Sequence, residues 1–137
     1  MLFKKKIIKK IKKYFNELDK VIAVYLFGSL AKETFNDNSD IDLALMLEDD
    51  LDKVTVFDLK LKVMGELESL LDYEVDIVIF SQADLRLQHQ IIKGQLLKGK
   101  DNKQRVKREQ KSLDQYLDMK YFYDRYEEKL GKGLEYG

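Results

Sequence analysis

The chain has 137 residues, of which 45% are hydrophobic, so it is long enough to bury one core and too short for two comfortable ones. Its 25 basic and 25 acidic residues cancel, which excludes the overall positive charge of a dedicated nucleic-acid-binding protein. The absence of Cys excludes disulfides and cysteine-ligated zinc, and a single histidine, His89, excludes a histidine-rich metal site. Acid–base or metal chemistry in this chain must therefore depend on carboxylates.

The first predicted element is an amphipathic helix over residues 3–18. Apolar residues recur there at helical spacing, and lysines occupy the opposite side. Such a basic helix can lie on an anionic membrane or contact nucleic acid, but a solvated lysine face above a core-facing apolar stripe is more common, and we adopt this interpretation. The lysines also interrupt every apolar stretch, so we expect no secretory signal peptide.

Strands and helices alternate along much of the remaining chain. Residues 21–27 form an apolar, β-branched run typical of a buried strand. This run of seven residues is far shorter than a membrane-spanning helix, which needs roughly 20. Further strands are predicted at residues 41–47 and 74–80, and helices at residues 54–71, 85–97 and 106–129. This order predicts a small α/β or α+β sheet with helices packed on it.

The composition changes towards the C-terminus. Residues 21–100 carry fifteen acidic against eight basic residues, whereas the segment after them is nearly balanced in charge and rich in Tyr. We therefore expect a domain over residues 1–98 and a helical extension over residues 99–137. With no Cys and no predicted membrane segment, we expect the protein to be cytoplasmic.

Two aspartates, Asp40 and Asp42, stand at the start of the second predicted strand. Residues i and i+2 of a strand point to the same side with Cα atoms roughly 6.5–7 Å apart, so the two carboxylates share one face while Ile41 and Leu43 enter the core. Carboxylates this close repel one another unless a cation lies beside them or one is protonated. A bound Mg²⁺ is the natural solution.

A third aspartate and a Gly-Ser pair complete the pattern. Asp76 interrupts an apolar strand, where a charge is costly unless it meets a partner or a metal, and a third carboxylate is what a pair of divalent ions requires. The first strand ends in Gly28 and Ser29, and ten residues lie between Ser29 and Asp40. Because Gly28 has no side chain and Ser29 offers a hydroxyl and backbone N–H groups, the pair can form a cradle for a triphosphate.

Each of these features has an ordinary structural explanation when it is taken alone. Gly-Ser after a strand is usually a turn, Asp76 can be an edge-strand charge that prevents aggregation, and Asp42 can form a salt bridge with a lysine. The combination at these separations is far more specific than any one of its parts.

The combination resembles the nucleotidyltransferase fold of the DNA polymerase beta superfamily over residues 20–98. The resemblance implies an α/β (α+β) fold with a small mixed sheet, packed helices and a C-terminal helical extension. It implies that phosphates are held by three residues: Gly28, Ser29 and Lys32. It also implies that two Mg²⁺ ions are bound by three aspartates: Asp40, Asp42 and Asp76. Asp76 would also help to deprotonate the attacking hydroxyl. Leu30 and Glu33 depart from the family's motif, which often has an arginine and a glycine at these places.

The small size and the segment 114–123 resemble minimal nucleotidyltransferases that act as antitoxins to HEPN-domain ribonuclease toxins. This resemblance implies transfer of AMP from ATP to a tyrosine of the toxin and a hetero-oligomer with it, without membrane or direct nucleic-acid binding. Two alternatives stay open: a small-molecule nucleotidyltransferase of the aminoglycoside-modifying kind, and a non-enzymatic protein that neutralises its partner by contact. The Tyr-rich stripe over residues 116–126 suits a protein interface or packing on the domain's own core.

Overall fold

A computed structural model describes residues 2–31 and 40–135 of the chain, and the side chains of residues 3–31 and 40–129. Within these ranges the helices are α1 (Leu2–Phe15), α2 (Gly28–Ala31), α3 (Lys53–Leu71), α4 (Leu85–Ile92) and α5 (Asn102–Glu135). The strands are β1 (Val21–Phe27), β2 (Ile41–Leu47), β3 (Val75–Ile79) and β4 (Gln95–Gly99). No helix in this part of the chain has the length and apolar content needed to span a bilayer. The α/β fold class is confirmed.

The strands form one mixed sheet in the order β3-β2-β1-β4. The central strand β1 pairs antiparallel with both β2 and β4, whereas β2 and β3 are parallel. Helix α3 is the crossover between the two parallel strands, as a parallel pair requires. Because β2 and β3 run the same way, their first residues lie together at one end of the sheet.

One face of the sheet packs against α1 and α3 and is apolar. The apolar stripe of α1 contributes Ile7, Ile11 and Phe15 to a core that also contains Val63 and Leu67 of α3. Two polar contacts at its margin hold the helices in place. The Tyr14 hydroxyl donates to Glu66 Oε2 at 2.6 Å. The ammonium of Lys98 on β4 donates to the carbonyl oxygen of Phe15, the last residue of α1, at 2.5 Å and to that of Leu18, which follows the helix, at 3.0 Å.

The opposite face packs against α4 and α5 and has a smaller apolar cluster with polar contacts inside it. The buried Tyr25 donates its hydroxyl to Glu109 Oε2 of α5 at 2.6 Å, and Arg105 Nη1 donates to the same oxygen at 2.9 Å. Ser112, which is also buried, donates to Gln88 of α4 at 2.6 Å. Hydrogen bonds therefore help to attach helix α5 to the sheet and to α4.

The helix predicted over residues 85–97 is wrong in its last third. Helix α4 ends at Ile92, and residues 95–99 form β4 on the free edge of β1. The cause is Gly94, where an added Cβ would lie 2.3 Å from the Leu26 carbonyl oxygen, so the chain turns there in close contact with β1. The final helix starts earlier than predicted, at Asn102, because Asp101 Oδ1 accepts a hydrogen bond from the Gln104 N–H at 3.1 Å.

Candidate active site

The carboxylates predicted from the sequence meet at one end of the sheet. In the parallel register of β2 and β3, Asp42 lies directly opposite Asp76, and neighbouring strands are about 4.8 Å apart. Directly paired residues point to the same face, here that of Ala44, which belongs to the cluster under α4 and α5. Asp40 immediately precedes β2. The third-strand aspartate is thus beside the Asp-x-Asp pair, as the sequence pattern indicated.

A fourth carboxylate, Glu74, lies in this group and was not predicted from the sequence. The Ile41 N–H donates to the Glu74 carbonyl oxygen at 2.9 Å, which continues the β2–β3 pairing outward and places Glu74 beside Asp40. A side-chain hydrogen bond to Asp40, together with that group's charge, raises the pKa of Glu74. The i, i+2 rule that paired Asp40 with Asp42 applies equally to Glu74 and Asp76, so the signal was present in the sequence.

The environment of Asp42 disfavours its charged form. Burial raises the pKa of Asp42, and the neighbouring charges of Asp76 and then Asp40 raise it further. Within residues 2–31 and 40–135, no lysine or arginine forms an ion pair with any of these three aspartates. Among the described residues, the group is therefore a concentration of negative charge with no cationic side chain paired to it.

Gly28 lies against the Asp42 carboxylate. Its φ of +75° is in the left-handed region, and an added Cβ would lie 2.2 Å from Asp42 Oδ2, so both the backbone conformation and the space require glycine. Ser29 follows in the single-turn helix α2 and is half-buried. Leu30 is buried in the core, which explains why an apolar residue replaces the family's arginine there. Lys32 and Glu33 lie outside the described residues.

The group fits Mg²⁺ in its chemistry. Mg²⁺ prefers oxygen ligands and is usually held by one or two carboxylates together with water and substrate phosphates, and the facing pair Asp42 and Asp76 supplies such carboxylates. In the described part of the chain no three acidic or histidine side chains are arranged as a complete metal site. The remaining ligands would therefore come from Asp40 after rotation of its side chain, from water and from substrate.

Other candidate side chains are occupied elsewhere. His89 stacks on Tyr116 of α5 with ring centroids 3.9 Å apart, and the guanidinium of Arg86 lies 4.9 Å from the centre of the Tyr123 ring. The Tyr-rich stripe is thus divided: Tyr116 and Tyr123 contact α4, although Tyr123 is still half exposed, whereas Phe122 and Tyr126 are exposed. Among the described residues, the acidic group at the end of the sheet is therefore the candidate active site.

Comparison with known proteins agrees with this geometry. The model of the family described as polymerase beta, nucleotidyltransferase, matches residues 9–103. This chain belongs to the polymerase beta nucleotidyltransferase family. The match includes all four strands, the Gly-Ser pair and every carboxylate of the acidic group.

One relative of this chain is a named adenylyltransferase. Protein adenylyltransferase MntA of Shewanella oneidensis is 37% identical over 87 residues, which cover 64% of this chain and 58% of MntA. The match thus spans less than two thirds of that relative. A chain in the crystal structure of a toxin–antitoxin with AMP-PNP has a TM-score of 0.71 and 26% identity, with 90% of this chain and 97% of that one covered.

A second solved structure contains a modified toxin. It is described as tri-AMPylated Shewanella oneidensis HEPN toxin in complex with MNT antitoxin, and the matching chain has a TM-score of 0.63 and 25% identity. The match covers 94% of this chain and 96% of that chain. The likeness to these complexes extends beyond the residues of the family match and into α5.

Proposed function

We propose that this nucleotidyltransferase transfers AMP from ATP to a tyrosine hydroxyl of a HEPN-domain toxin, and that it acts as the antitoxin of that toxin. The observation that carries the proposal is the pairing of Asp42 with Asp76 beside a glycine that no other residue can replace. The likeness to protein adenylyltransferase MntA and to the complex with AMPylated toxin supports the choice of nucleotide and partner.

The proposed roles follow the positions of the residues. Three aspartates, Asp40, Asp42 and Asp76, hold two Mg²⁺ ions, and the phosphates pass Gly28 and Ser29, with Lys32 as a further phosphate ligand. Bound Mg²⁺ supplies positive charge, which lowers the pKa of the acceptor hydroxyl and balances the charge of the departing pyrophosphate.

The reaction is a displacement at the α-phosphorus of ATP. The tyrosine oxygen forms a bond to this phosphorus while the bond to the bridging oxygen of the β-phosphate breaks, so pyrophosphate leaves with the electron pair. Asp76, the outermost of the paired carboxylates in the sheet order, accepts the hydroxyl proton. The AMP group adds bulk and negative charge to the toxin, which would hinder its access to RNA.

We further propose that the catalytic domain comprises residues 1–98 and that residues 99–137 form an extension. Strand β4 ends at Gly99 and α5 starts at Asn102. The exposed aromatic side chains of α5, among them Phe122 and Tyr126, suit a contact with the partner toxin in a hetero-oligomer. We place the pair in the cytoplasm, where a ribonuclease meets its RNA substrates.

The test is incubation of the purified protein with ATP, Mg²⁺ and a HEPN toxin encoded at the same locus. We expect intact-mass spectrometry to show added adenylate on the toxin, and peptide mapping to place it on a tyrosine. A folded, associated pair that gains no mass would overturn the proposal.

Two control reactions separate the other candidate functions. Inhibition of the toxin's ribonuclease activity by a variant without all three aspartates would show neutralisation by contact alone. Consumption of ATP on an aminoglycoside without any protein partner would show a small-molecule transferase. The proposal predicts neither result.

A further inference from the structure

A cavity lies on the side of Gly28 away from Asp76. It has a volume of about 530 Å³ and is open to solvent, and its lining comes from the end of β1, from α2 and from the turn between α4 and β4. The residues that line it are Phe27, Gly28, Ala31, Leu87, Gln90, Lys93, Gly94 and Gln95. Among these described residues Lys93 is the single cation, and there is no acidic side chain.

The position of Lys93 relative to Gly28 is set by strand pairing. Leu26 of β1 is paired with Gln95 of β4 in antiparallel register. Gly28 lies two residues after Leu26, and Lys93 lies two residues before Gln95, so the same register continued outward brings Lys93 opposite Gly28. Gly94 holds the turn against β1, because any Cβ there would collide with the Leu26 carbonyl oxygen. The backbone of Lys93 is therefore held close to the glycine that contacts Asp42.

The strand order places this cavity on the opposite side of Gly28 from Asp76. From one edge to the other the strands carry Asp76 on β3, Asp42 on β2, Gly28 after β1, and then the turn before β4. In a displacement at phosphorus the attacking and leaving oxygens are roughly in line. If the hydroxyl attacks from the side of Asp76, the pyrophosphate leaves past Gly28 and enters the cavity.

We infer that this cavity receives the β- and γ-phosphates of the nucleotide and that Lys93 is a further residue that binds them. The inference rests on the proposed function and extends it to a residue outside the family's Gly-Ser and Asp-x-Asp motifs. Charge-assisted hydrogen bonds between ammonium and phosphate are about twice as strong as neutral ones. The amides of Gln90 and Gln95 offer additional donors at the wall of the same cavity.

Lys93 also has a purely structural explanation. It follows the last residue of α4, and a lysine near a helix C-terminus is stabilised by the helix dipole. A structural lysine would change the stability of the protein and leave its discrimination between nucleotides unaltered. The two roles therefore differ in a measurable quantity, the affinity for ATP-like ligands relative to AMP.

The experiment compares Lys93→Met with Lys62→Met, an exposed lysine of α3 on the opposite face. Calorimetry in the presence of Mg²⁺ measures the affinities of each variant for AMP-PNP and AMP, and competition by inorganic pyrophosphate against AMP-PNP gives a second measurement. We expect Lys93→Met to weaken AMP-PNP and pyrophosphate about ten- to a hundredfold and AMP less than about twofold. Lys62→Met should change none of them, and Lys93→Arg should retain most of the affinity for AMP-PNP.

Unchanged affinity of Lys93→Met for AMP-PNP and pyrophosphate would overturn the inference, as would an equal loss for AMP and AMP-PNP. If Lys93→Met loses affinity for AMP-PNP and pyrophosphate but not for AMP, and the wild-type protein adds no AMP to the toxin, the proposed function fails and the assignment of Lys93 stands. A wild-type protein that binds no AMP-PNP overturns both.

Discussion

The face of the sheet under α1 and α3 and the face under α4 and α5 are filled by different kinds of side chain. Under α1 and α3 the interior is a continuous apolar core from Ile7 to Leu97. Under α4 and α5 the apolar cluster is smaller, and it adjoins the Tyr25–Glu109 contact and the acidic group. The first face resembles an ordinary protein interior, whereas the second combines packing with charge.

The difference indicates that the face under α4 and α5 holds functional groups at a cost in stability. Burial raises the pKa of Asp42, and the like charges of Asp76 and Asp40 raise it further, because the protein holds carboxylates together that would separate in water. The apolar face carries no such group among its buried residues, so it can stabilise the sheet on which the strained group depends. Variants on the two faces should therefore separate activity from stability.

Asp42→Asn should give the largest difference between the effect on activity and the effect on stability. Loss of a metal-binding carboxylate should lower the rate of AMP transfer about a thousandfold or more, because several kcal/mol of transition-state stabilisation depend on the ions. The melting temperature of the metal-free protein should not fall, because the substitution removes repulsion. Time courses of adenylate transfer to the toxin measure the rate. Asp58→Asn, an exposed carboxylate of α3, is the matched control; comparable rates for the two variants would contradict the assignment.

The reverse pattern is expected for Leu67→Ala on the apolar face. Leu67 is fully buried, and loss of its side chain should lower the free energy of unfolding by about 2–5 kcal/mol. Leu61 on the same helix is 48% exposed, so Leu61→Ala should change stability by less than about 0.5 kcal/mol. Urea unfolding measures both, and the folded Leu67→Ala protein should bind AMP-PNP normally. Similar losses for the two variants would show that the core is not where the structure places it.

Alanine substitutions at two glycines should change the free energy of unfolding in opposite directions. Gly28→Ala forces a side chain into a left-handed conformation against Asp42, which should cost about 1–3 kcal/mol and remove AMP-PNP binding. At Gly65 an added Cβ meets nothing within 4 Å, and alanine in a helix interior should stabilise by about 0.5–1 kcal/mol. Thermal unfolding and calorimetry provide the comparison. A Gly28→Ala protein that binds AMP-PNP as tightly as the wild type would exclude Gly28 from the site.

A smaller effect is expected for Tyr25→Phe on the mixed face. Burial, together with the hydrogen bond to Glu109, raises the pKa of Tyr25, so the hydroxyl stays protonated and donates. Its removal should cost about 1–2 kcal/mol and loosen α5. Hydrogen exchange should show the loosening in the first turns of α5, with Tyr126→Phe, an exposed position, as the silent control. Equal exchange in both variants would mean that this hydrogen bond does not hold the helix.

The smallest effect is a pH dependence of stability in the metal-free protein. The pKa of Asp42 is raised above its usual 3.8 by burial and by Asp76 and Asp40, so the folded state binds the proton more tightly than the unfolded state. The resulting stabilisation is complete below about pH 3.8 and is lost as the pH rises through the raised pKa. The melting temperature of Asp42→Asn minus that of the wild type should increase over this interval. A constant or decreasing difference would contradict the proposed repulsion.

Much of the fold could be predicted from local patterns. The strands β1 and β2 were placed correctly because each is a short run of apolar residues bounded by turn residues. Strand β4 was missed because Leu96 and Leu97 continue the apolar spacing of α4. Only the contact of Gly94 with β1 shows that the chain must turn, and that contact is tertiary.

The aspartates of the candidate site could be selected from the sequence, but their arrangement could not. The distance between Asp42 and Asp76 depends on the parallel register of β2 and β3, which spacing along the chain cannot determine. The cavity beside Lys93 likewise depends on how β4 pairs with β1. The type of chemistry could be inferred from residue types, whereas the proposed direction in which pyrophosphate leaves depends on the sheet order.

The central claim is that the acidic end of β2 and β3, on the face under α4 and α5, is the place where nucleotide and metal meet. The most direct measurement is a crystal structure with AMP-PNP and Mn²⁺, whose anomalous scattering locates the ions. We expect ions bound by Asp40, Asp42 and Asp76, with the phosphates passing Gly28 towards Lys93. Ions bound at any other carboxylates, or a triphosphate on the side of α1 and α3, would contradict it.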